Sequence, residues 1–351
     1  VVDYSNHKIR KIFLRGTLTA DVAMHNLDDD TDATVSLASS DTGEATVSPA
    51  TLTFTENNWN TAQTVTLTGV DDNDRDRNQD YKISLSAAEQ DPDPVVTTFA
   101  GSGSQGTADG TGTAATFKNP NAAIIVGGNL YVIDSHSHTI RKIVISTGVV
   151  STFAGSPGSA GTTNATGTSA RFNYPRSITT DGTNLYVADA FTIRKIVISS
   201  GVVTTLAGGF QVPSGIIIDG TNLYVADTGN HRIRKIVIAT GAVTTFAGSG
   251  SSGSTDATGT AATFKKPNAI ITDGTNLYVA DTENHTIRKI VISTGVVTTL
   301  AGSAGSQGST NGTGTVARFR YPRAITIDGT NLYVSDTNNH AIRKVVISSG
   351  A

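Results

Sequence analysis

Asn222–Gly248 reads NLYVADTGNHRIRKIVIATGAVTTFAG and Asn276–Gly302 reads NLYVADTENHTIRKIVISTGVVTTLAG, and this near-identity decides the fold. Six copies of the motif occur, each located by one aspartate: Asp3, Asp134, Asp189, Asp227, Asp281 and Asp336. The last four steps between these aspartates are 55, 38, 54 and 55 residues, whereas the first is 131 residues. The chain is therefore an internal repeat that is interrupted once.

Each unit contains four short runs rich in Val, Ile, Thr, Tyr and Phe, which we name a, b, c and d. In one copy they are Pro267–Asp273, Asn276–Asp281, Thr286–Ile292 and Val296–Gly302. Turn residues bound all four, and the Asp-Gly pair between a and b is a strong hairpin signal because Gly accepts a positive φ. A repeated four-stranded antiparallel unit predicts an all-β protein with the blades of a β-propeller.

The units resemble NHL repeats through "LYVAD…NH.IRKI" and the upstream "F..P.AI". This resemblance covers residues 1–16 and 95–351. It implies a propeller, commonly six-bladed, that serves as an interaction platform more often than as an enzyme. Six b–c pairs but only five d–a segments are present, so we favour six blades, with five as the alternative.

Residues 17–94 carry no copy of the motif, which predicts three parts: a partial first blade (1–16), an insert (17–94) and the remaining blades (95–351). Alternation within the insert favours half-buried strands of a small β-sandwich. Through "TVSPATLTFT…NWNTAQTVT" it resembles the Calx-β or immunoglobulin-like repeats of bacterial surface proteins. A linker domain between two propellers is the alternative to an insertion.

Charge differs sharply between the parts. The insert has 16 acidic and 3 basic residues, a net charge of −13, whereas the rest of the chain carries +10. One acidic loop places oxygen ligands at every second position, as a Ca²⁺ site requires if the loop curls: Asp72, Asp74, Asp76, Asn78 and Asp80. Arg77 and Ile83 stand where an EF-hand needs Gly and Glu, so the alternatives are another type of calcium site and a solvated acidic loop.

The repeated Asp, His and Arg of the b–c region predict a structural role. A catalytic group breaks symmetry, whereas a residue present in nearly every blade builds the blade. We expect the Asp to organise the b–c turn and the Arg to lie between neighbouring blades. No paired carboxylates with distinct surroundings are visible, so we predict no enzyme and no required cofactor.

Candidate binding residues lie on the face that carries the b–c turns and the long d–a loops. The third repeat is short in both, which predicts a notch in the rim beside Phe191, Phe210 and Gln211. Basic residues flank the Phe–Pro motif on the same face and suit a polyanion: Arg171, Arg176, Lys265, Lys266, Arg318, Arg320 and Arg323. Aromatic residues are sparse there, which favours an acidic glycan or a protein over nucleic acid.

The sequence therefore predicts a non-enzymatic binding and assembly scaffold of the extracellular space or cell surface. In one form, the acidic insert of one copy docks on the basic propeller of the next. The Thr-, Ser- and Gly-rich texture, with 16% charged residues, favours that location, and the missing Cys excludes disulfides and thiolate metal sites. No apolar run approaches the ~18 residues of a membrane helix. The alternatives are a propeller enzyme, such as a lyase or glycan-cleaving enzyme, and a spacer within a larger adhesin.

Overall fold

The computed structural model describes residues 2–3, 8–9, 17–22, 33–40, 45–55, 61–69, 83–88 and 97–350. It divides the chain into two compact units, Val1–Thr97 and Thr98–Ala351. The described residues form β-strands and short 3-10 turns, and none of them lies in an α-helix. The prediction of an all-β protein is therefore confirmed.

The first unit contains eight described strands. Their bounds are β1 Val2–Asp3, β2 Lys8–Ile9, β3 Thr17–Val22, β4 Ala33–Ser39, β5 Ala45–Ser48, β6 Thr51–Phe54, β7 Gln63–Gly69 and β8 Ile83–Ala88. β1 and β2 pair as an antiparallel hairpin, while the other strands form two three-stranded sheets, β3-β7-β5 and β6-β4-β8. Strands of both sheets contribute to one small core: Val35, Leu37, Leu52, Phe54 and Val65. The likeness to Calx-β or immunoglobulin-like repeats, and the domain boundaries, stay predictions.

The second unit is a β-propeller of five blades. Blade 1 contains β9 Gly110–Thr111, β10 Pro120–Val126, β11 Asn129–Asp134, β12 Thr139–Val144 and β13 Val149–Ala154. Blade 2 contains β14 Ala165–Thr166, β15 Pro175–Thr180, β16 Asn184–Asp189, β17 Thr192–Val197 and β18 Val202–Gly208. Blade 3 contains β19 Pro213–Asp219, β20 Asn222–Asp227, β21 Arg232–Val237 and β22 Ala242–Ala247.

Blade 4 contains β23 Pro267–Thr272, β24 Asn276–Asp281, β25 Thr286–Val291 and β26 Val297–Ala301. Blade 5 contains three strands, β27 Pro322–Ile327, β28 Asn331–Asp336 and β29 Ala341–Val346. Runs a to d thus become the successive antiparallel strands of a blade. The structure has the second of the two blade counts that the repeats left open, rather than the six that they favoured. The first d run also differs from expectation, because its described residues, 97–101, lie in no strand.

The Asp-Gly turns between runs a and b are held by their aspartates. Asp273 accepts hydrogen bonds from the backbone N–H groups of Thr275 (2.8 Å) and Asn276 (2.6 Å) and from the Tyr278 hydroxyl (2.8 Å). Burial raises the pKa of this carboxyl, but these hydrogen bonds outweigh it and lower the pKa to about 2. The carboxylate therefore stays ionised and fixes this turn.

Apolar cores lie between successive blades. In the core between blades 4 and 5, Tyr278 and Ile287 of blade 4 pack with Phe319, Leu332 and Val334 of blade 5. Equivalent cores join blades 1 and 2, blades 2 and 3, and blades 3 and 4. No such core joins blade 5 to blade 1 among the described residues. Packing of b and c strands against the next blade is therefore what holds the row of blades together.

The first strands of neighbouring blades approach closely at Gly215. A Cβ added to this residue in β19 would lie 2.5 Å from the Asn268 carbonyl oxygen and 3.1 Å from the Ala269 Cα, both in β23. Backbone atoms cannot move aside as a flexible side chain can, so β19 and β23 fit together only because residue 215 has no side chain.

We expect Gly215→Ala to lower the free energy of unfolding by about 1–3 kcal/mol, because blades 3 and 4 must separate to admit the methyl group. Gly208→Ala is the matched control, since a Cβ there meets only the Thr192 methyl group at 4.0 Å. This variant should stay within about 0.5 kcal/mol of the parent. Urea unfolding followed by circular dichroism measures both, and equal effects would refute the close approach.

Candidate functional site

The aspartate that ends the second strand of each blade organises the b–c turn, as predicted. In blade 4, the Asp281 Oδ1 accepts the Lys265 backbone N–H (2.7 Å), and its Oδ2 accepts hydrogen bonds from the Asn284 amide (2.7 Å) and the Arg288 guanidinium (3.0 Å). All five aspartates of this position are fully buried: Asp134, Asp189, Asp227, Asp281 and Asp336. They join the b–c turn to the connection that leads into the same blade.

The repeated arginine binds that connection instead of lying between blades, so its predicted position is wrong. Arg288 covers the Phe264 ring at 5.0 Å and donates to the carbonyl oxygens of Thr263 (3.0 Å) and Thr255 (3.1 Å) and to the Asp256 carboxylate (2.6 Å). The acidic or amide partner recurs eight residues before the Phe in four blades, as Asp109, Asn164, Asp256 and Asn311. This spacing is readable in the sequence, but the analysis above missed it.

The repeated histidine is the residue that reaches the next blade. The Nδ1 atom of His285 accepts the Tyr321 backbone N–H at 3.2 Å, and His138 and His231 bind the equivalent residues of blades 2 and 4 in the same way. An Nδ1 acceptor requires a neutral ring. Burial, with the neighbouring Lys265, lowers the pKa of His285. These rings hold blades together, which excludes them from catalysis and from a metal ring.

The structure brings the predicted notch residues together at blade 3. Phe191 lies in the shortened b–c turn of blade 2 with 57% of its surface exposed, and its carbonyl accepts the Phe210 backbone N–H at 3.2 Å. Gln211 is exposed, donates its N–H to Asp227 (2.7 Å) and accepts the Gly229 N–H (2.7 Å). Phe210 is only 4% exposed, because it is the repeat phenylalanine of blade 3, so it supports the notch from below.

Arg234 is the side chain of the notch that sequence reasoning missed. The shortened connection of blade 3 supplies no counterpart of Asp256, and the guanidinium keeps Asp227 (3.4 Å) and the Thr244 carbonyl (3.4 Å) as partners, above the Phe210 ring at 5.6 Å. Its side chain is 16% exposed, against 0–1% for the equivalent arginines of blades 1, 2 and 4. A cation with spare donors therefore borders the exposed Phe191 and Gln211.

The predicted basic residues lie at similar positions of blades 2, 4 and 5, not in one cluster. Two of them are engaged locally: Arg171 donates to the carbonyls of Thr168 (2.9 Å) and Ser169 (3.0 Å), and Arg318 does the same in blade 5. Lys265 lies 3.9 Å from the Glu283 carboxylate. Exposed side chains remain at Arg176, Arg320, Arg323 and Lys266.

Neither a metal centre nor a membrane span is found in the described part of the chain. Within it, no group of three or more His, Cys, Asp or Glu side chains is placed to hold a metal ion. Nor is any helix there long and apolar enough to cross a membrane. The predicted calcium ligands Asp72, Asp74, Asp76, Asn78 and Asp80 lie outside the described residues, so that site stays a prediction.

Known sequences support the NHL resemblance over part of the chain. Over 95 residues, 26% of this chain, it is 37% identical to NHL repeat-containing protein 2 of Homo sapiens and 36% identical to that of Bos taurus. The matched stretch spans 13% of the length of each of these relatives. No protein-family model matches the chain.

Solved structures of similar arrangement have low sequence identity to the chain. An auxiliary nutrient binding protein from Bacteroides ovatus has a TM-score of 0.48 and 17% identity, covering 87% of this chain and 91% of that one. A chain of a nidogen/laminin complex has a TM-score of 0.48 and 17% identity, covering 65% and 74%. Similarities at this level carry no argument about function.

The histidine link predicts acid sensitivity. Since the pKa of His285 is lowered in the folded state, its contribution to stability is present above the unfolded value of about 6.5 and is lost as pH falls below it. We expect His285→Asn, which tolerates the left-handed backbone of this position (φ 62°), to flatten the fall in melting temperature on acidification. His340→Asn, at the equivalent but exposed position of blade 5, is the control and should keep the parental slope. Equal slopes for all three proteins would contradict the link.

Proposed function

We propose that the protein is a non-enzymatic binding and assembly scaffold that acts outside the cell or at its surface. The partial NHL-repeat similarity supports this, because it belongs with a fold suited to binding. The repeated Asp, Arg and His also support it, because each is engaged in holding the described blades together. Chemistry-bearing side chains of the repeat are thereby withdrawn from catalysis.

The proposed ligand position is the notch at blade 3. The observation that carries it is the exposed Arg234 guanidinium beside the exposed Phe191 ring, at the one connection shortened by a deletion in the repeat. A guanidinium recognises a carboxylate, an aromatic ring packs against a sugar or an apolar group, and an amide such as Gln211 binds hydroxyls. This chemistry fits an acidic glycan.

Binding of a uronic-acid hexasaccharide, measured by titration calorimetry, tests the notch. We expect Arg234→Gln and Phe191→Ala each to weaken binding about tenfold or more, because a charge-assisted hydrogen bond or an aromatic contact is lost. Lys344→Gln, which removes one positive charge from an exposed position of blade 5, is the control and should bind as the parent does. A neutral glucan hexasaccharide that binds equally well, or a loss confined to the control, would refute the notch as an acidic-glycan site.

The opposed charges of the two parts of the chain support a second element of the proposal, self-association of the acidic insert with the basic propeller of another copy. The net charges of −13 and +10 attract at low ionic strength. A calcium ion in the insert would reduce that attraction.

Sedimentation velocity at low and high salt, with Ca²⁺ or a chelator, measures this association. We expect large species at low salt that dissociate as salt screens the charges. Dependence on Ca²⁺ would support a calcium site in the insert. A monomer under all four conditions would refute association through charge.

A further inference from the structure

The outer face of blade 5 presents side chains that the other blades bury. Ile342 in β29 is 72% exposed, whereas the equivalent isoleucines of the other blades are 0% exposed: Ile140, Ile193, Ile233 and Ile287. Thr337 is also exposed, although its equivalents in blades 3 and 4 are buried and donate hydrogen bonds to the next blade, Thr228 to the Pro267 carbonyl (2.6 Å) and Thr282 to the Pro322 carbonyl (2.7 Å). This face is therefore one half of a blade interface.

The outer face of blade 1 is the other half. Pro120 is exposed, whereas the proline that begins the first strand is buried in each of the other four blades. Ile125 is 65% exposed, and Phe117 is only half-buried although the equivalent phenylalanines are buried. A small core lies behind this face: Ala115, Val132, Ile143 and Val150, with Phe117 and Leu130 packed against it.

The backbone at Asn119 records the missing neighbour. The residue before the proline has a φ of 51–54° in the four blades that follow another blade, namely Tyr174, Val212, Lys266 and Tyr321. Asn119 is not left-handed, and its N–H joins that of Lys118 on the Asp134 Oδ1, at 2.7 and 2.8 Å. Asn is a residue that adopts the left-handed region readily. Contact with a preceding blade therefore accompanies the left-handed backbone, and blade 1 lacks that contact.

We propose that the outer face of blade 5 binds the outer face of blade 1 of a second copy of this chain. Four interfaces within the chain already join these two kinds of face, so the surfaces are complementary by repetition. The contacts expected are Thr337 Oγ1 to the Pro120 carbonyl, the Asn119 N–H to His340 Nδ1, and Ile342 against Phe117 and Leu130. No blade has to repack internally for a second copy to supply them.

The unpaired edge of β29 adds backbone hydrogen bonds to this contact. In the other blades a d strand pairs with the third strand, while the described residues pair nothing with this edge of β29. The Gly101 N–H donates to the Gly112 carbonyl (3.1 Å) as Gly155 does to Gly167 (3.1 Å), so the end of the first d run already lies on blade 1 as the preceding d strand does elsewhere. Docking thus brings this run to the free edge of β29.

The association is heterologous and joins copies head to tail, because the two faces differ. It goes beyond the proposed function, since it uses neither the notch nor the acidic insert. It also differs in salt response. An apolar interface persists at high salt, whereas attraction between exposed charges is screened.

Cysteine cross-linking of the full chain tests the pairing, since the chain has no Cys of its own. Thr337→Cys and Pro120→Cys are made as separate variants of different tag length, mixed at high salt and treated with a short bismaleimide. We expect a mixed dimer in excess of either self-dimer. Thr240→Cys, at an exposed turn of blade 3, replaces Thr337→Cys in the control and should give no excess of mixed dimer.

The double variant, with both cysteines in one chain, distinguishes a second copy from closure of the ring within one chain. Cross-linked dimers and higher species support the proposal, whereas a cross-linked monomer alone would overturn it.

Sedimentation velocity at high salt provides a readout without cross-linker. We expect Ile342→Asp to raise the dissociation constant about tenfold or more, because a charge replaces a buried isoleucine. Val316→Asp, which also places a charge at an exposed apolar residue of blade 5, should leave it unchanged. A parent protein that stays monomeric as concentration rises, or equal effects of the two variants, would overturn the proposal.

Discussion

The described part of the propeller depends on a buried carboxylate at the end of the second strand of every blade. A buried charge is costly unless hydrogen bonds and an opposite charge compensate it. Asp281 obtains that compensation from the Lys265 N–H, the Asn284 amide and Arg288, which come from three different segments of blade 4. Each blade must therefore bring its turn, its third strand and its incoming connection together, and much of the repeated motif is explained by this requirement.

The strands were predictable because their signal is local. Runs of β-branched residues bounded by Asp-Gly and Thr-Gly turns specify an antiparallel unit without reference to the rest of the chain. The partners of Arg288 and His285 were harder to predict, since both lie more than 20 residues away along the chain. Phe210 was assigned to the notch surface because the short connection hid its equivalence to Phe264, and the alignment of the Phe–Pro motif would have shown that it belongs to the core.

Blade number illustrates a second limit of the repeat analysis. Counting copies of the motif shows how many units the chain encodes, but the contacts that decide which units pack together are not visible in any single copy. The features with the best claim to function are departures from the repeat: a shortened connection that leaves Arg234 accessible, and end faces that lack a neighbour. Residues that obey the repeat are occupied with the fold, and residues that break it are available for binding.

Each described blade is drawn from one continuous segment of the chain, from the 44 residues of blade 2, Ala165–Gly208, to the shorter blade 3, Pro213–Ala247. A duplication or deletion of one such segment in the gene adds or removes a whole blade together with its buried Asp and Arg. Because the link to the next blade uses the same His and Thr positions, the new neighbours already fit. Blade number is therefore free to change in evolution by single genetic events, and near-identical copies such as blades 3 and 4 are the expected record of a recent one.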